Sequence, residues 1–161
     1  MASVTCERTV LADLQRVFDV FTDIEHAAQH VAGIISVEFV GPTRHGPGTE
    51  WRETRQFGRM KATEQMKITE YAAPNHYVVE AFSHGTHYRS DFHFEQPSPG
   101  ETRVRMTFAG RPKSLPAKLM SPLGFMMKGM VKKCLEQDMA DLAAVAEGPA
   151  EPTPTTTQAS A

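Results

Sequence analysis

The chain has 161 residues, of which 17 are basic and 19 acidic, so its formal net charge is −2. This length supports a single hydrophobic core, and the absence of a basic excess argues against nucleic-acid binding. There is no apolar run long enough to span a membrane, and the first ten residues lack the features of a secretory signal. Two cysteines exclude a disulfide framework, so we expect a protein of the reducing cytoplasm.

The first predicted elements are a short strand over residues 3–10 and two helices. Apolar residues at helical spacing then share one face, namely Leu14, Val17, Phe18 and Phe21. Asp13 is suited to cap the N-terminus of this helix, because its side chain can accept a backbone hydrogen bond. Asp23 predicts a second, shorter helix that begins at residue 24 and ends near Gly33.

From residue 34 to residue 109 the hydrophobic period changes to two, which predicts strands. The predicted strands cover residues 35–41, 49–57, 60–71, 76–82, 86–96 and 102–108. Gly58-Arg59 fits a two-residue type II′ turn, and His84-Gly85 fits another tight hairpin. Strands joined by such short connections predict an antiparallel meander.

The last part of the chain returns to helical spacing. Residues 115–147 are predicted to be mostly helical, with one long amphipathic helix from near Pro122 to Glu147. Residues 148–161 are rich in proline and threonine and carry no large apolar side chain. Such a composition predicts a disordered tail after a single domain over residues 1–147.

This order of elements resembles the helix-grip, or SRPBCC, superfamily, which includes START lipid-transfer domains, birch-pollen-allergen-like proteins and polyketide cyclase/dehydrase relatives. The motifs that carry the resemblance are LADLQRVFDVFTDIEH, GTEWRETR, ITEYAAPNHYVV, YRSDFHFEQPSPGETRVRMTF and KKCLEQDMADLAAVAE. The resemblance implies an α+β fold in which a seven-stranded antiparallel sheet curls around the long C-terminal helix. It also implies a hydrophobic pocket between them, in a member of the polyketide cyclase/dehydrase type.

Three ionisable side chains fall on the otherwise apolar face of the middle strands: Glu53, Arg55 and Glu64. They form either a structural ion pair at the rim of the sheet or the polar floor of a ligand cavity, and the sequence leaves both interpretations open. Strand parity and the helical spacing predict one set of ligand-binding residues: Trp51, Glu53, Arg55, Glu64, Met66, Tyr77, Tyr88, Phe92, Met127 and Val131.

Three functions are compatible with this pattern. The first is binding or carriage of a small hydrophobic molecule, such as a lipid, a polyketide or an isoprenoid. The second is a cyclase or dehydratase, a lyase or isomerase without metal, in which Glu53 or Glu64 acts as general base and Arg55 steadies an enolate oxygen. The third is a protein-interaction module.

No metal and no cofactor are expected. His26 and His30 have helical spacing but lack a third ligand, and His84 and His87 flank a tight turn. The basic stripe on the last helix (Lys128, Lys132 and Lys133) predicts at most a transient contact with a membrane surface. The sequence does not predict an oligomeric state.

Overall fold

The computed structural model describes residues 2–119 and 127–149. The strands are β1 (Ala2–Val10), β2 (Ile34–Phe39), β3 (Glu50–Phe57), β4 (Met60–Ala72), β5 (His76–Ser83), β6 (Thr86–Ser98) and β7 (Glu101–Pro112). The helices of the described residues are α1 (Leu14–Thr22), α2 (Ala27–His30), α3 (Leu115–Leu119) and α4 (Lys128–Glu147). Within this part of the chain, no helix combines the length and the apolar character needed to cross a membrane.

The seven strands form one antiparallel sheet in the order β1-β7-β6-β5-β4-β3-β2. Strands β2 to β7 follow one another as a meander, and the last strand, β7, pairs with the first, β1. Helix α4 packs against β1 and α1, so the long helix lies over the sheet. This arrangement confirms the predicted helix-grip architecture.

The turns fix the register of the middle strands. His84 and Gly85 both have positive φ (48° and 73°), which identifies a type I′ hairpin. At the other hairpin Gly58 has φ 57°, whereas Arg59 is not in the left-handed region, in agreement with the predicted type II′ turn. Glycine suits this position because it adopts positive φ without a steric cost.

The largest hydrophobic cluster surrounds Phe18, which is completely buried on the inner face of α1. Its ring makes edge-to-face contacts with Tyr71, Tyr77 and Phe94, with centroids 5.3, 5.9 and 5.3 Å away. Met139 joins the same cluster from α4. The core therefore joins α1, the sheet and the C-terminal half of α4 into one unit.

Two helix starts differ from the prediction. Helix α2 begins at Ala27, because the Asp23 carboxylate accepts hydrogen bonds from the backbone and ring nitrogens of His26 and holds a turn there. Helix α4 begins at Lys128 instead of near Pro122, and residues 120–126 lie outside the described residues. Asp13 is the N-cap of α1 as predicted, but its carboxylate accepts a hydrogen bond from the Gly100 backbone instead of capping the helix.

The C-terminus of α4 is held by a side chain of α1. The Arg16 guanidinium donates hydrogen bonds to the carbonyl oxygens of Ala146, Val145 and Gly148, at 2.6, 3.2 and 3.2 Å. A cation placed there also interacts favourably with the negative end of the helix dipole. Gly148, assigned to the tail by the sequence, thus contacts the domain, and residues 150–161 lie outside the described part of the chain.

Candidate functional site

A cavity of about 300 Å³ lies between the inner face of the sheet and the helices. Most of the side chains that line it are apolar, and they come from α1, α2, α4 and strands β2 to β7. This lining follows from strand parity, because alternate residues of each strand point to the same face. Phe92 of β6 and Met106 of β7, for example, both face the cavity.

Nine of the ten residues predicted to bind a ligand line this cavity: Trp51, Glu53, Arg55, Glu64, Met66, Tyr77, Tyr88, Phe92 and Val131. The tenth, Met127, is 42% exposed and is not among the lining residues. It is the N-cap of α4, and its carbonyl oxygen accepts a hydrogen bond from the Val131 backbone at 3.0 Å, so it lies one turn before Val131 at the exposed start of the helix. The prediction that Met127 faces the cavity is therefore wrong.

Four side chains form a hydrogen-bonded chain in the polar part of the wall, three of them from β3 and one from α4. Glu53 is buried and accepts hydrogen bonds from Arg55 Nε at 2.6 Å and from Trp51 Nε1 at 3.1 Å. Arg55 also donates through Nη1 to Asp138 Oδ2 at 2.8 Å. Glu53 and Arg55, two of the three ionisable residues that the sequence singled out, thus form an ion pair and also line the cavity.

The guanidinium of Arg55 is thus shared by the carboxylates of Glu53 and Asp138, and all three groups are largely shielded from solvent. Burial raises the pKa of Asp138, Arg55 acts against this shift, and the nearby charges of Glu53 and Asp141 raise the pKa further. Burial alone would lower the pKa of Arg55, but the charges of Asp138 and Glu53 outweigh it and the pKa lies above its ordinary value. Arg55 is therefore a permanent cation.

Glu64 differs from the other carboxylates of the wall. It lies directly opposite Glu53 across the β3–β4 pair and is only partly buried. Among the residues that the structure describes, no hydrogen bond or ion pair joins Glu64 to a neighbour. Its carboxylate is consequently available to a molecule in the cavity.

Tyr77 carries a hydroxyl group that is already engaged. It donates a hydrogen bond to the carbonyl oxygen of Phe21 at 3.1 Å, and the residue is buried. Burial and the negative charge of Glu53 both raise the pKa of Tyr77. The residue thus stays protonated at neutral pH and contributes its ring, which stacks on Phe92 with centroids 4.5 Å apart.

Sequence reasoning missed Asp138, the second carboxylate that binds Arg55. A signal was present, because Val131, Leu135, Asp138 and Leu142 follow one another at spacings of four, three and four residues. All four line the cavity. A carboxylate that interrupts an apolar helical face is a candidate for a buried ion pair.

A family model described as polyketide cyclase / dehydrase and lipid transport matches residues 1–147. No curated protein is similar enough in sequence to match the chain.

Solved structures share the fold at low sequence identity. The Zhui aromatase/cyclase of Streptomyces sp. R1128 is 16% identical with a TM-score of 0.75, and the match covers 91% of this chain and 93% of that one. Norcoclaurine synthase of Thalictrum flavum, in complex with dopamine and hydroxybenzaldehyde, is 16% identical with a TM-score of 0.68 and coverage of 93% and 89%. A protein of Thermus thermophilus is 20% identical with a TM-score of 0.66 and coverage of 89% and 99%.

Proposed function

The chain belongs to the polyketide cyclase/dehydrase and lipid transport family, and on that premise we propose that it binds and carries a small, mostly apolar molecule in its cavity. The membership agrees with the SRPBCC resemblance of the sequence. The observation that carries the proposal is the 300 Å³ cavity with an apolar lining and a single polar wall. Small-molecule pockets have volumes of about 300–1,000 Å³, so the ligand belongs at the small end of that range.

The charges of the wall indicate what the polar end of the ligand carries. Among the described residues, four carboxylates and one guanidinium line the cavity: Asp23, Glu53, Glu64, Asp138 and Arg55. The guanidinium is already bound by two of the carboxylates, whereas the carboxylate oxygens of Glu64 can still accept hydrogen bonds. A hydrogen-bond donor, such as a phenolic hydroxyl or a protonated amine, complements this wall, whereas a carboxylate would be repelled.

Three naphthalene derivatives of nearly equal size test this proposal. We expect 2-(2-naphthyl)ethylamine to bind more tightly than neutral 2-ethylnaphthalene, and 2-naphthylacetate to bind most weakly, as measured by calorimetric titration at low ionic strength. Replacement of Glu64 by Gln should bring the affinities for the amine and the neutral compound closer together by removing a charge. If none of the three binds, the carrier function is refuted; if the carboxylate binds best, only the assignment of the polar end is refuted.

Cyclase or dehydratase activity is a second candidate, and the partner-free Glu64 is the observation that favours it. A carboxylate with no neighbour to neutralise it can remove a proton from the carbon beside a carbonyl group. Arg55 is less suited to its predicted role, because its hydrogen bonds already go to Glu53 and Asp138.

The two candidates differ in what a Glu64→Gln variant would lose. A general base would lose about 10²–10⁴ in rate while the variant still binds its substrate. A carrier would keep its affinity for a neutral ligand and shows no turnover to lose. The appropriate substrate probe is a poly-β-carbonyl compound about as large as two fused rings. Mass spectrometry would detect the product.

A further inference from the structure

Two histidines and an aspartate converge on the outer face of the sheet, on the side away from the cavity. His76 at the start of β5 is the direct partner of His93 on β6, and Asp91 lies two residues before His93 on the same face. The two imidazole rings stack with centroids 4.4 Å apart and an angle of 25°. Neither histidine takes part in the cavity, so this cluster is independent of the proposed function.

The three side chains direct their potential ligand atoms at one point. Asp91 Oδ1 lies 2.9 Å from His76 Nε2 and 2.8 Å from His93 Nε2. One nitrogen from each imidazole and one oxygen from the carboxylate lie within 4.8 Å of one another. Zinc bonds of 2.0–2.2 Å in a tetrahedral site hold ligand atoms about 3.3 Å apart, so opening each contact by about half an ångström would admit the ion.

The neighbouring charged side chains orient the carboxylate of Asp91. The other oxygen of Asp91 accepts a hydrogen bond from Arg89, whose guanidinium is also bound by Glu70 and Glu80. Those carboxylates offset the positive charge of Arg89, and the hydrogen bond orients Asp91 so that Oδ1 faces the imidazoles. His93 is 56% exposed, so an ion can reach the site and complete its coordination with solvent.

We propose that His76, Asp91 and His93 form a binding site for a divalent metal ion such as Zn²⁺. Two imidazoles and one carboxylate are ligands that suit Zn²⁺, Cu²⁺ and Ni²⁺, and three protein ligands leave a coordination position open. The ion would join β5 to β6 on the outer face of the sheet. This proposal departs from the expectation of no metal, which considered only histidines close together in the sequence.

The test uses untagged protein freed of metal with a chelator and then titrated with zinc chloride at neutral pH by calorimetry. We expect one zinc ion per chain, and a rise in melting temperature because the ion binds only the native arrangement. Cobalt chloride provides a second readout, since Co²⁺ with nitrogen and oxygen ligands absorbs visible light. Both signals should appear with the wild-type protein.

Variants locate the ion. His93→Gln removes the most exposed ligand and should weaken zinc binding by at least about ten-fold, with the circular dichroism spectrum unchanged. His76→Gln should do the same, whereas His45→Gln, which alters an exposed loop histidine, should keep wild-type affinity. Absence of zinc binding up to millimolar concentration, or wild-type affinity in His93→Gln, would overturn the proposal.

Discussion

Glu53 and Glu64 lie directly opposite each other on β3 and β4, and both line the cavity. Glu53 has the guanidinium of Arg55 and the indole of Trp51 as partners, whereas Glu64 has none among the described residues. Like charges at directly opposed positions destabilise a sheet. The charge of Glu64 therefore does not stabilise the fold. This favours a role for Glu64 in binding a ligand.

The first prediction concerns the stability of that pair. Glu64→Gln should raise the free energy of unfolding by about 0.2–1 kcal/mol, because it removes the repulsion from Glu53. Glu53→Gln should lower it by about 1–3 kcal/mol, because Arg55 then loses a charged hydrogen-bond partner. Urea denaturation measures both changes, with Glu38→Gln on the exposed side of β2 as the control. A loss of stability in Glu64→Gln would contradict this account.

The second prediction follows from the raised pKa of Asp138. A group whose native pKa lies above its unfolded value binds protons more tightly in the native state, so stability falls as pH rises through that interval. The stability of the wild type relative to Asp138→Asn should therefore decrease as pH rises from about 4, the ordinary pKa of aspartate, toward neutrality. Urea midpoints at a series of pH values measure this difference.

The matched control for this experiment is Glu25→Gln, which changes an exposed carboxylate. Its stability relative to the wild type should not follow the pH trend of Asp138→Asn. If the wild type instead gains stability over Asp138→Asn as pH rises, the attraction of Arg55 outweighs burial and the assigned direction is wrong.

The third prediction concerns the hydrogen bonds that Arg16 of α1 donates to the C-terminus of α4. Arg16→Ala should lower the free energy of unfolding by about 1–3 kcal/mol, because three carbonyl oxygens lose a charged donor. Arg16→Lys should restore part of this loss through its charge. Arg8→Ala, at an exposed position of β1, is the control, and chemical denaturation is the measurement. Equal stability of Arg16→Ala and Arg8→Ala would show that the contact contributes nothing.

Much of the cavity wall was predictable because strand parity and tight turns act locally. The turn at Gly58-Arg59 pairs Phe57 with Met60, and outward counting from it pairs Glu53 with Glu64. The turn at His84-Gly85 likewise fixes the pairing of His76 with His93. Both turns were identified from the sequence, so these cross-strand neighbours were available from it, although the histidine pair was overlooked.

The helix contributions were harder to predict because they depend on where the helix begins and which face meets the sheet. Met127 shares helical spacing with Val131, but α4 begins one residue after Met127 and its side chain is exposed. Asp138 was missed because the sequence alone does not show that Arg55 of β3 lies beneath that turn of α4. Contacts between distant elements thus account for most of what the sequence left open.

The central claim is that the cavity binds a small apolar molecule, and a pair of bulky substitutions tests it most directly. Val131 lines the cavity, whereas Met127 lies one helical turn earlier and does not. Val131→Trp should abolish the fluorescence enhancement of N-phenyl-1-naphthylamine by filling the cavity, at a stability cost of about 1–3 kcal/mol. Met127→Trp should bind the probe as the wild type does. Absence of probe binding to the wild type, or unchanged binding in Val131→Trp, would contradict the claim.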